Sequence, residues 1–174
     1  DLNRSFPGNK KGKYEERLAY TILKELEGVD YVFDIHSTIV KTDNFIITVG
    51  ESELAKYFPL RRVVDMSGFA RGVSLIENVP LGVSIEYAHT TPVERVIGQL
   101  RQGLVNLGVL AGSPNFVQQE KYVVYDVLKK SPGNKNITLE NFVETQLNRE
   151  FFIPILYGEG TYPDILCLKA RKIW

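Results

Sequence analysis

Three short stretches hold residue types able to do chemistry. The first is D-L-N-R at the start of the chain, where Asn3 and Arg4 set an amide beside a guanidinium. Such a pair suits a carboxylate, which a guanidinium grips through two parallel, charge-assisted hydrogen bonds. The second is Y-V-F-D-I-H-S-T, residues 31–38, which contains His36, one of only two histidines present. His36 falls at the C-terminal end of a predicted parallel strand, where open α/β sheets place their ligands. A neutral imidazole there is either a metal ligand, oriented by Asp34 or by backbone groups, or a satisfied structural histidine. The third is V-S-I-E-Y-A, in which Glu86 interrupts an apolar strand. Buried, that carboxylate needs a partner, a metal or a proton; otherwise it ends the strand and faces solvent.

The surrounding pattern supplies elements to carry these residues. Y-E-E-R-L-A-Y-T-I-L-K-E-L-E-G predicts a helix, with Leu18, Ile22 and Leu26 at helical spacing and Gly28 as its stop. D-Y-V-F-D-I-H reads as a strand buried on both faces, N-F-I-I-T-V-G as a second strand, and S-E-L-A-K-Y-F-P-L as a short helix halted by Pro59. G-V-S-I-E-Y-A is a further strand. It precedes a helix capped by Thr91 and Glu94, opened by Pro92 and striped by Val93, Ile97, Leu100, Leu104 and Leu107. Strand alternating with helix predicts an α/β layer with a mixed, largely parallel sheet flanked by helices. Beyond Gly112 the pattern turns to strands: K-Y-V-V-Y-D-V-L-K-K, F-F-I-P-I-L-Y-G and D-I-L-C-L-K-A-R-K. Residues 1–112 are therefore expected to form an α/β domain and residues 113–174 a small, mainly β unit.

Composition narrows the function classes. With 21 basic and 21 acidic residues, nothing points toward nucleic acid or an anionic membrane surface. No apolar run approaches the roughly 18 residues of a membrane span. The chain opens on polar, charged residues rather than on a signal peptide. The lone Cys167 rules out an internal disulfide framework and suggests a reducing, cytoplasmic setting.

Taken in order, D-L-N-R, D-I-H-S-T and G-V-S-I-E-Y-A-H-T-T-P resemble the succinylglutamate desuccinylase/aspartoacylase family of the zinc carboxypeptidase-like fold. F-I-P-I-L-Y-G-E-G-T-Y-P-D-I-L-C-L-K-A-R-K resembles that family's closing β segment. The resemblance implies a zinc-dependent hydrolase that removes the acyl group from a small N-acylated amino acid. It makes His36 a Zn2+ ligand and Glu86 the general base and later acid. It places Asn3 and Arg4 on the substrate carboxylate, and projects Glu159 and Tyr162 over the substrate pocket. A metal-activated water beside a carboxylate that accepts and returns a proton is coherent chemistry for such an amide.

The resemblance also implies two further zinc ligands from an H-x-x-E pair and an oxyanion-stabilising arginine, all preceding D-L-N-R. No H-x-x-E occurs in this chain, and His89 has no glutamate three residues on, which leaves His89 as a rim residue or a substrate contact. The expectation is that those ligands lie on a preceding segment and that this chain alone binds zinc weakly. A second substrate arginine is expected shortly before Glu86, and Arg71 is the nearest candidate. The competing expectation is a non-catalytic relative that keeps the fold and binds a carboxylate ligand or a partner protein.

Overall fold

The computed structural model describes residues 1–134, 136–160 and 163–173. Among these, eight strands run as β1 (Val32–Thr38), β2 (Phe45–Thr48), β3 (Arg62–Asp65), β4 (Gly82–Ala88), β5 (Glu120–Lys129), β6 (Thr145–Leu147), β7 (Glu150–Ile155) and β8 (Ile165–Ile173). They form one sheet in the order β1-β4-β2-β3-β5-β8-β7-β6. Three neighbouring pairs are parallel (β1/β4, β2/β3, β3/β5) and four antiparallel, so the sheet is mixed, and the third parallel pair brings in β5 from beyond residue 112. The helices are α1 (Tyr14–Glu25) and α2 (Val93–Asn106).

The period-two alternation of the strands sorts the core into two layers. Ile46, Val63, Val83, Ile85 and Tyr87 cluster with Leu54 and Phe58, and Val96, Leu100 and Leu107 at the α2 end pack against them. Gly103 permits this approach, because a Cβ there would lie 2.6 Å from the Phe58 ring. Phe45, Val64, Tyr122, Val124, Ile155 and Leu168 form the other layer with Phe142. Glu86 is the register partner of Phe45 and Ser84 of Ile47, so β4 turns its polar residues toward this second layer. Hydrocarbon therefore gives way to polar groups at the β1/β4 end of that face. At the far end, buried Lys169 ties β5 to β7 and β8 through Asp126 at 2.7 Å and Glu150 at 2.9 Å.

Several local expectations are corrected. β1 ends the sheet among the described residues rather than lying buried on both faces, and Ile35 is 44% exposed. A continuous apolar run has the same appearance at the centre and the edge of a sheet; strand order decides between them. In α2, Val93 is 66% and Ile97 60% exposed, whereas Leu100 and Leu107 of the expected stripe pack against the core, joined by Val96. Thr91 forms no capping box: its hydroxyl donates to Asn44 Oδ1, and Pro92 is the cap rather than the first helical residue. Residues Glu53–Tyr57 form a 3-10 turn where a short helix was expected. The short strands β3 and β6 were not anticipated.

Candidate active site

The parallel pairing of β1 with β4 sets His36 opposite Glu86 and Asp34 opposite Ser84. Residues two apart on a strand share a face, so Asp34, His36 and Thr38 form one polar row beside Ser84 and Glu86. His36 Nε2 lies 2.7 Å from Asp34 Oδ2, and Ser84 Oγ donates to that same oxygen at 3.1 Å. Thr38 Oγ1 donates to Glu159 Oε2 at 2.6 Å, bringing the loop after β7 over the row.

The first residues of the chain close the other side. Asp1 caps a single 3-10 turn, Leu2–Arg4, by accepting from the Asn3 N–H. That turn holds Asn3 Nδ2 3.5 Å from His36 Nε2, while Asn3 Oδ1 accepts the Leu75 N–H at 2.9 Å. Arg4 Nη1 donates to the Asn3 carbonyl at 2.6 Å. A cavity of about 690 Å³ results, and Asn3, Arg4, His36, Arg71, Glu86 and Glu159 all line it. Asn3, Arg4, His36, Arg71, Glu86 and Glu159, singled out in the sequence, thus meet at one place; Tyr162 lies outside the described residues. His89 is exposed just beyond β4 and is not among the lining residues.

Charge in the cavity is unevenly matched. Burial pushes the Glu86 carboxyl above its ordinary range; His36 opposes this, and the charges of Glu159 and Asp34 add to it. His36 is itself raised, first by its hydrogen bond with Asp34, against burial, with help from the Asp34 and Glu86 charges and opposition from Arg4. A carboxyl whose pKa is raised by burial holds a proton more readily than a free one, which suits a group that accepts a proton and returns it.

One lining residue escaped sequence reading. Glu77 gathers the N–H groups of Arg71, Gly72, Val73 and Ser74 together with the Ser74 hydroxyl. Burial alone would raise its pKa, but the hydrogen bonds from Ser74 Oγ and from the Gly72, Ser74 and Arg71 amides outweigh that and hold it down to about 2. S-L-I-E, residues 74–77, has capping-box spacing, and this signal was available in the sequence.

A resident zinc wants three protein donors around an open position. Among the described residues no three His, Cys, Asp or Glu side chains stand together as such a set. The Nε2 of His36 is engaged by Asp34. The donors described here therefore do not fit a complete zinc site, and His36 is the one imidazole in the cavity.

Comparison with known proteins gives this geometry a context. Residues 1–66 match the family model described as succinylglutamate desuccinylase/aspartoacylase catalytic domain. No curated protein sequence matches. Among solved structures, murine aminoacylase 3 is similar over 99% of this chain and 77% of its own, with a TM-score of 0.74 and 16% identity. The succinylglutamate desuccinylase from Chromobacterium violaceum is similar over 100% of this chain and 67% of its own, with a TM-score of 0.70 and 13% identity. The product-bound ectoine utilization protein EutE (DoeB) from Ruegeria pomeroyi is similar over 99% and 67%, with a TM-score of 0.64 and 16% identity. At these identities the structures establish a shared fold, the α/β architecture of aspartoacylase- and carboxypeptidase-like proteins. The family resemblance read from D-L-N-R and D-I-H-S-T thus holds: residues 1–66 carry the pattern of the succinylglutamate desuccinylase/aspartoacylase catalytic domain.

Proposed function

We propose that the cavity is the substrate site of a zinc-dependent amide hydrolase that removes the acyl group from an N-acylated amino acid. The observation that carries this reading is the convergence of Asn3, Arg4, His36, Glu86 and Glu159 on one cavity from segments far apart in sequence. In this reading residues 1–112 supply the reacting groups, and residues 113–174 supply Glu159 and Tyr162 over the pocket. The lone buried Cys167 suits a reducing compartment such as the cytoplasm.

Each residue has a task. Arg4 and Arg71 hold the substrate's carboxylate, and the Asn3 amide donates to it through Nδ2. Glu86 takes a proton from the attacking water and delivers it to the departing amine; burial raises its pKa above the ordinary carboxylate value, which makes it the stronger proton acceptor. Glu159, fixed by Thr38, borders the acyl end. Zinc, when bound, would lower the pKa of that water and polarise the amide carbonyl, with His36 as one ligand.

The test is acyl release from a panel of N-acyl amino acids by the protein at its natural length, with zinc supplied. Turnover of at least one carboxylate-bearing N-acyl amino acid is expected. Tight binding of such compounds without turnover would instead make this a non-catalytic carboxylate-binding relative, and no interaction at all would remove the reading.

A further inference from the structure

Glu77 is placed unlike an ordinary surface acid. Its Oε1 accepts from the N–H groups of Arg71 at 2.7 Å and Gly72 at 2.8 Å; its Oε2 accepts from those of Val73 at 3.1 Å and Ser74 at 2.9 Å, and from Ser74 Oγ at 2.7 Å. Four consecutive backbone donors converge on one carboxylate, an anion nest occupied by the chain's own side chain. The fifth N–H in the run, that of Leu75, goes to Asn3 Oδ1 at 2.9 Å. Asn78 locks the carbonyl side of the same loop, its Nδ2 donating to the carbonyls of Gly72 at 3.0 Å and Ser74 at 2.8 Å.

Two lining residues depend on this arrangement. Arg71 begins the loop, and its exposed side chain stands at the cavity rim. Asn3 is oriented by it: with Oδ1 taken by Leu75, the amide must turn its Nδ2 donors toward the cavity and His36. Were the loop to relax, the Asn3 amide would lose its fixed sense and could present an acceptor, which repels a carboxylate.

We propose that Glu77 is the positioning residue of the carboxylate-recognising half of the site. By ordering residues 71–75 it fixes Arg71 and the donor face of Asn3 toward an anionic ligand. This inference rests on the reading that the cavity takes a carboxylate, and it deepens that reading. Glu77 itself touches no reacting atom.

The test uses N-acetyl-L-alanine and its neutral counterpart N-acetyl-L-alaninamide as probes, together with amide hydrogen exchange. Glu77→Gln keeps the side-chain size but puts an NH2 donor against N–H groups. Exchange at amides 71–75 should accelerate by about tenfold or more while β4 amides stay protected. Affinity for the carboxylate probe should fall by about tenfold or more, with the neutral probe little affected. Should Glu77→Gln fail to fold, Asn78→Ala loosens the same loop with Glu77 intact and should give the same pattern at smaller amplitude. Unchanged exchange at 71–75 overturns the proposal, and so does equal weakening of both probes. Wild-type protein that binds the carboxylate probe but hydrolyses no N-acyl amino acid sinks the hydrolase reading and leaves this one standing. Wild-type protein that does not prefer the carboxylate probe overturns this one.

Discussion

His36 and Glu86 are register partners on the parallel strands β1 and β4, 50 residues apart in sequence, and their side chains leave the same face of the sheet. The pairing puts an imidazole and a carboxylate at the floor of one cavity without any loop to hold them. Groups mounted on paired strands keep their spacing, whereas a loop-borne pair would drift. Asp34 and Glu159 crowd further negative charge around Glu86, and the carboxyl's raised pKa follows from burial together with that crowding.

Glu86→Gln preserves shape and removes the proton acceptor. In the protein at natural length, turnover of an N-acyl amino acid should fall by about 10²–10⁴. Far-ultraviolet circular dichroism and thermal midpoint should stay close to wild type. Near-normal turnover would take the role of base away from Glu86.

Arg4→Ala should act on binding rather than on proton transfer, raising KM far more than it lowers kcat. The guanidinium is exposed at the rim, and loss of one charge-assisted contact should cost about 10- to 100-fold in kcat/KM. Arg4→Lys should recover only part of this, since an ammonium lacks the planar fork. Steady-state kinetics on a carboxylate substrate and its neutral amide decide the matter: equal losses on both would make Arg4 a structural anchor of the first turn.

The 174-residue chain should hold zinc weakly, because His36 is the one imidazole at the cavity and three donors are needed. Elemental analysis after gel filtration should find less than about 0.1 equivalent per chain. Stoichiometric zinc would reveal donors other than those assigned, and His36→Ala would then show whether the imidazole is one of them.

The Glu77 nest predicts a pH signature. Its folded pKa of about 2 lies below the ordinary glutamate value of ~4.3, so the carboxylate's stabilisation is complete above the latter. It is lost as pH falls through that value toward about 2. The thermal midpoint of wild type should therefore exceed that of Glu77→Gln by a constant margin above about pH 5 and by a shrinking one below about pH 4.5. A margin that persists undiminished into strong acid would mean that the charge of Glu77 contributes nothing.

Much of the architecture was readable in the chain. Apolar alternation and helix punctuation located α1, α2 and the strands β1, β2, β4, β5, β7 and β8, because those signals are local. β3 was missed because R-V-V-D shows only two apolar residues between charges, whereas β2 offers a run of three. The opening turns of α2 were misread at Val93 and Ile97 because apolar residues lie on both faces there, and only the core contacts of Val96 and Leu100 decide which face is buried.

Residue type drew attention to His36, Glu86, Asn3 and Arg4, and the resemblance carried by D-L-N-R, D-I-H-S-T and G-V-S-I-E-Y-A gave them expected roles. Their meeting was a matter of tertiary structure. Only strand order makes β1 the neighbour of β4 and so sets His36 against Glu86; only the Leu75 N–H tells the Asn3 amide which way to face. Glu77 is the clearest case: S-L-I-E marks its capping box with Ser74, but only the folded loop adds the N–H groups of Arg71, Gly72 and Val73 to the same carboxylate. Hydrogen-bond direction is fixed by backbone conformation, and no local pattern of side-chain types encodes where those donors converge.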